Sequence, residues 1–122
     1  MKISHWILLL FGLFIILCML ILRPVPIVPE SECLVASGKV TKIFEGGTLD
    51  ACFRLEGDPT VYYINRGLEQ GLTLKGLRDS LMGQEITMKY PEYWTPLDPN
   101  HTIKHISKLE FKGETLFTEL RD

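Results

Sequence analysis

From Trp6 to Leu22 the chain reads WILLLFGLFIILCMLIL, 17 consecutive residues without a charge or a strongly polar group, between Lys2 and Arg23. A helix of that length spans about 26 Å at 1.5 Å per residue, close to the ~30 Å hydrocarbon core of a bilayer once its flanks are included. A cleaved signal peptide would have a shorter apolar region ending in small residues, whereas this run ends Leu20-Ile21-Leu22-Arg23-Pro24. Bulky Leu17 before Cys18 argues equally against lipoprotein processing. Residues 1–23 are therefore expected to be an uncleaved signal-anchor that meets membrane lipid through Trp6 to Leu22, with Trp6 and Arg23 at the two interfaces. Lys2 and the terminal amine oppose Arg23, so charge hardly sets the orientation. The short N-terminal tail favours a single-pass protein of the cytoplasmic (inner) membrane with its domain outside the cytoplasm. Residues 24–37, opening PVPIVPESE, read as a proline-rich linker that cannot continue the helix and holds the domain off the bilayer.

Beyond the linker the period becomes two. Gly38–Glu45 is rich in β-branched residues and stops at Gly46-Gly47, a strand followed by a turn. Asp50–Glu56 alternates, with Ala51, Phe53 and Leu55 on one side and Cys52, Arg54 and Glu56 on the other. After Gly57-Asp58-Pro59, Thr60–Asn65 forms a third strand. The period then changes: Leu74, Leu77 and Leu81 share a helical face over Thr73–Met82. Thr73 is placed to cap its start, Leu72 and Leu77 to staple it, and Gly83 to end it, with Gly76 as its weak point. Gln84–Tyr90 alternates again. Ile103–Phe111 gives a fifth strand whose apolar parity changes after Ile106, the sign of a bulge, and Thr115–Leu120 adds a short closing strand.

Strand, strand, strand, helix, strand, strand is the order of the oligonucleotide/oligosaccharide-binding fold, and residues 38–122 resemble that five-stranded barrel over Gly38 to about Phe117. The resemblance rests on element order. Closing the sheet would also remove its edges, a gain for a domain this small; an open α+β sheet is the alternative. As a whole the chain is similar to small membrane-anchored bacterial proteins with an extracytoplasmic barrel, a likeness that carries over no functional residue. The fold it resembles implies ligands across the second and third strands, bordered by Glu45–Leu49 and by residues 91–102.

That implication draws attention to KYPEYWTPLDPNHTIKH, Lys89–His105. Tyr93 and Trp94 present flat amphipathic rings to a sugar or a base, and Asp98, Asn100 and His101 add hydrogen-bonding groups. The competing reading has Trp94 and Tyr90 folded back as a plug over an open barrel end, stiffened by Pro91, Pro96 and Pro99. A second cluster, Tyr62, Tyr63, Asn65 and Arg66, offers a grip for a carboxylate or phosphate, unless Arg66 simply pairs with Glu69. His101 and His105 are four apart but lack an evident third ligand, so no metal is expected. Of three cysteines, Cys33 and Cys52 flank the first strand and form a possible disulfide; two buried thiols are the alternative.

The chain carries 13 basic and 15 acidic side chains, and without Lys2 the balance is −3. Such a balance disfavours nucleic acid, whose binding draws on clustered cations. No nucleophile setting, paired-carboxylate motif or glycine-rich phosphate loop appears, so neither catalysis nor a cofactor is expected. The sequence points to a non-enzymatic, membrane-anchored β-barrel module that binds a protein or glycan partner. A structural or accessory subunit of a larger membrane complex is the second reading, and nucleic-acid binding a distant third.

Overall fold

A computed structural model of the chain describes residues 2–121; Met1 and Asp122, the outer bounds of the expected anchor and domain, lie outside the described residues. Helix α1 (Lys2–Leu22) has no buried side chain and is long and apolar enough to cross a membrane. The rest is mainly sheet: β1 (Leu34–Gly46), β2 (Asp50–Leu55), β3 (Val61–Ile64), then helix α2 (Leu74–Leu81), then β4 (Glu85–Tyr90), β5 (Ile103–His105), β6 (Lys108–Phe111) and β7 (Glu114–Thr118). They form one mixed sheet in the order β5-β3-β2-β1-β4-β6-β7.

Strand β1 holds the sheet together because its two halves have different partners. Leu34–Lys39 pairs antiparallel with β4, and Val40–Gly46 pairs antiparallel with β2. The register shifts between Val40 and Lys42, so Val40 and Ile43 both reach the core although they are three apart. On β2 the alternation places Ala51, Phe53 and Leu55 inside, as expected. Tyr62 and Ile64 of β3, Ile86 and Met88 of β4, Ile106 and Leu109 complete the core, with Leu77 and Leu81 of α2 against it.

Helix α2 starts where its cap predicts: Thr73 Oγ1 accepts the Gly76 N–H at 3.0 Å. An added Cβ at Gly76 would lie 2.8 Å from that oxygen, so the glycine that looked like a weakness leaves room for the cap. The Arg78 guanidinium donates to the Ile43 carbonyl at 3.0 Å and ties the helix to β1. Gly83, at φ +75°, ends it and gives its N–H to Val40.

Three expectations need correction. The fifth strand is two strands: β5 runs parallel to β3, β6 runs antiparallel to β4, and the parity change at Ile106 marks the exchange of partners. With β7 the sheet therefore has seven strands instead of five. Next, β1 begins at Leu34, inside the expected linker; half-exposed Val35 obscures the alternation there. The shortened linker does not stand off from the domain either. The Glu30 carboxylate receives Lys89 Nζ at 2.8 Å and Lys108 Nζ at 2.6 Å, from neighbouring positions on β4 and β6. Of the two readings left open for Cys33 and Cys52, the disulfide is not formed. Cys33 lies just before β1 while Cys52 pairs with Phe44 near its far end, a strand distance on the order of 30 Å against a disulfide's reach of about 7 Å.

Candidate functional site

In a sheet with one face in the core, the other face normally carries polar side chains. Across β1, β2, β3 and β5 that rule is broken. Phe44 pairs with Cys52, Cys52 with Tyr63, and Tyr63 with His105, so these four side chains form one row on the outer face. Beside that row, Val61 pairs with Ile103, which is 53% exposed. Phe44, Cys52, Tyr63, Val61 and Ile103 line a shallow groove of about 530 Å³, bounded at one end by Gly46, Gly47, Asp50 and Asn65, and His105 lies outside it.

The groove's walls are held by short-range contacts. Asp50 accepts the Arg66 N–H at 2.8 Å, which joins the β1–β2 turn to the end of β3. Gly46 has no side chain because Cys52 Sγ lies 2.6 Å from where a Cβ would stand. Tyr63 meets the His105 ring edge-on, 5.3 Å between centroids, and His105 Nε2 lies 2.5 Å from Glu119 Oε1 beyond β7. Burial, with the nearby Asp50 charge, pushes the Cys52 thiol up to about 11 and the Tyr63 hydroxyl up to about 12. Both are neutral at physiological pH. The groove is thus lined mainly by apolar or neutral side chains, with the Asp50 carboxylate at one end and Lys42 beside the groove, its Nζ 4.7 Å from the centroid of the Phe44 ring.

The residues singled out in the sequence scatter to other places. Tyr62 is buried, its hydroxyl donating to Asp58 at 2.6 Å, and belongs to the core. Partial burial pushes the Asp58 carboxyl up, but hydrogen bonds from Tyr62 and Thr60 outweigh it and hold it below its ordinary value. Arg66, left-handed at φ 51°, pairs loosely with Glu69 at 3.7 Å on the surface. Tyr93 and Trp94 do come together, but at the end of α1: the Tyr93 hydroxyl donates to the Arg23 carbonyl at 2.7 Å, and Arg23 Nη2 donates to the Trp94 carbonyl at 2.6 Å. Asp98 is a loop fastener, its carboxylate accepting the Thr102 N–H and hydroxyl and the Ile103 N–H. Asn100 is exposed beside it. His101, at φ 53°, lines a small cavity of about 130 Å³ under the loop with Tyr90, Tyr93 and His105. Of the expected plug, Tyr90 packs against the core, whereas Trp94 is 42% exposed and gives its indole N–H to Pro99. Among the described residues no three His, Cys, Asp or Glu side chains gather as a metal set.

No protein-family model matches the chain, and no curated protein matches it either.

The groove was detectable in one stretch. Val61-Tyr62-Tyr63-Ile64 is apolar at four successive positions, and a strand cannot turn four successive side chains the same way. Two of them had to face outward.

Proposed function

We propose that the protein is a membrane-anchored binding module, held by α1 in the cytoplasmic membrane with its domain outside the cytoplasm, which receives a protein partner on the outer face of β1, β2, β3 and β5. The observation behind this reading is the apolar row on a face that should be polar: Phe44, Tyr63, Val61 and Ile103 around the neutral Cys52 thiol. A glycan needs many directed hydrogen bonds, and the groove offers few polar side chains, Asp50 and Asn65 at one end and the Tyr63 hydroxyl. Burial of apolar side chains from a partner suits it better. The same face would serve an accessory subunit seated on a larger membrane complex.

The proposal includes a barrel of the oligonucleotide/oligosaccharide-binding type. Its support is the junction of β5 and β6: the Ile106 N–H donates to Tyr63 of β3 at 2.8 Å, and the next N–H, of Ser107, donates to Lys89 of β4 at 2.7 Å. Two successive residues thereby bridge the two ends of the β3-β2-β1-β4 ladder. The groove then falls on the surface where that fold commonly takes ligands.

Ile103→Asp tests the binding face, because the side chain is half-exposed and its replacement leaves the core alone. Cross-linking in intact membranes should give a discrete protein adduct with wild type and with Lys75→Ala on α2, and none with Ile103→Asp. Equal adducts in all three would reject the groove. Orientation is tested by protease added to intact cells, which should digest the domain; digestion only after lysis would place it inside.

A further inference from the structure

The loop from Tyr93 to Pro99 combines two properties that no role at the groove explains. It is fastened to Arg23, the residue that follows the anchor helix, and it turns apolar side chains outward. Arg23 follows directly on α1, and the loop grips it three ways: the two hydrogen bonds to Tyr93 and Trp94, and the guanidinium carbon 4.8 Å above the Tyr93 ring. Within the loop the polar groups are satisfied by one another. The Asp98 carboxylate is taken up by Thr102 and Ile103, the Asp98 N–H by the Thr95 carbonyl, the Leu97 N–H by Thr95 Oγ1, and the indole N–H by Pro99. What remains to face outward is Leu97, 71% exposed, and Trp94, 42% exposed. An exposed leucine at the tip of a proline-stiffened, self-satisfied loop gains nothing from water. Next to the end of a membrane helix, a tryptophan, a tyrosine and an arginine are the residue types that favour the headgroup level of a bilayer.

We infer that the Tyr93–Pro99 loop is a second membrane contact, with Trp94 and Leu97 seated in the interfacial layer of the bilayer that α1 crosses. The inference rests on the reading of α1 as a membrane anchor and adds to it: the domain lies against the bilayer at a fixed angle. Glu30, held by Lys89 and Lys108 seven residues after Arg23, pins the other end of the linker and is consistent with a domain kept close. A fixed angle would also set which way the groove faces.

The test uses the full chain carrying Trp6→Phe, so that Trp94 is the remaining tryptophan, reconstituted in phosphatidylcholine vesicles brominated near the headgroup end or deep in the acyl chains. The expected result is loss of Trp94 emission with the shallow label, a smaller loss with the deep label, and recovery of emission in Leu97→Asp. If an alkaline wash leaves the chain in the vesicles but Trp94 emits equally in brominated and plain lipid, the loop does not touch the membrane and the anchor stands. Should the chain wash off, the anchor reading falls and the loop contact falls with it. Shielding of Trp94 that needs an added protein, without quenching by lipid, would assign the loop to a protein partner and overturn the inference.

Discussion

Adding a single methyl group at Gly46 tests whether the outer row is packed as tightly as its register implies. An alanine Cβ there would stand 2.6 Å from Cys52 Sγ and 4.0 Å from Cys52 Cβ. Non-bonded heavy atoms settle at about 3.5–4.0 Å, so roughly 1 Å of movement is required. The sulfur has little freedom to provide it, since Cys52 is 5% exposed and lies between its strand partners Phe44 and Tyr63. Overpacking of this kind costs about 1–3 kcal/mol, a large share of the 5–15 kcal/mol by which domains are usually stable. In a Cys52→Ala background the sulfur is gone, and Gly46→Ala should be near neutral or gain a few tenths of a kcal/mol from the stiffer unfolded chain. Urea unfolding of the whole chain in detergent micelles, followed by near-ultraviolet dichroism for wild type, both single variants and the double variant, gives the coupling directly. It should be about 1–3 kcal/mol, with the double variant more stable than the sum of the singles. Additivity within ~0.5 kcal/mol would refute the contact and with it the position of Cys52 in the row.

Other consequences are open to direct measurement. Ser107 is fully buried and its hydroxyl has no protein partner among the described residues, while its N–H and carbonyl bond to Lys89 and Glu119. Ser107→Ala keeps the backbone bonds and should raise stability by about 1 kcal/mol, seen as a higher melting temperature; a loss of stability would show that the hydroxyl is satisfied. Hydrogen bonds from Lys108 and Lys89 hold the Glu30 carboxyl down at about 2, from an ordinary 4.5. A lowered carboxylate stabilises the folded state above its unfolded value, so linker docking should weaken as pH falls from about 4.5 towards 2 and be unaffected above. Titration of the Glu30 carboxyl carbon by NMR should show the low midpoint and Lys108→Met should raise it; a midpoint near 4.5 in wild type would deny the clamp. The Cys52 thiol, pushed up to about 11, should resist alkylation at neutral pH until the chain is unfolded. Non-reducing peptide mapping should find no Cys33–Cys52 bridge, and a linked peptide would reject the register of β1 with β2.

Where one periodicity governed a segment, the sequence could be read directly. Helix α1, the alternation of β2 and β4, and the Thr73 cap followed from spacing and side-chain type alone. The splitting of Ile103–Phe111 did not, because it depends on which strands flank Ile106 and Ser107, and partners distant in sequence leave no local mark. The start of β1 was hidden for a related reason: small or exposed residues such as Ala36, Ser37 and Val35 suffice where β4 supplies the bulk with Ile86 and Met88. Aromatic content does not mark the groove. Tyr93 and Trp94 attract notice as a pair, yet their contacts are to Arg23, 70 and 71 residues earlier. The apolar outer face is built from one or two residues on each of four strands, and only the pairing register assembles Phe44, Cys52, Tyr63 and His105 into a row.

Whether this face receives a protein partner can be read from a photo-activatable phenylalanine derivative placed at Val61 in the groove and, separately, at Lys75 on the exposed side of α2. Illumination of intact cells should give a discrete cross-linked protein from position 61 and none from position 75. Absence of an adduct at 61, or the same adducts from both positions, would show that no partner seats in the groove.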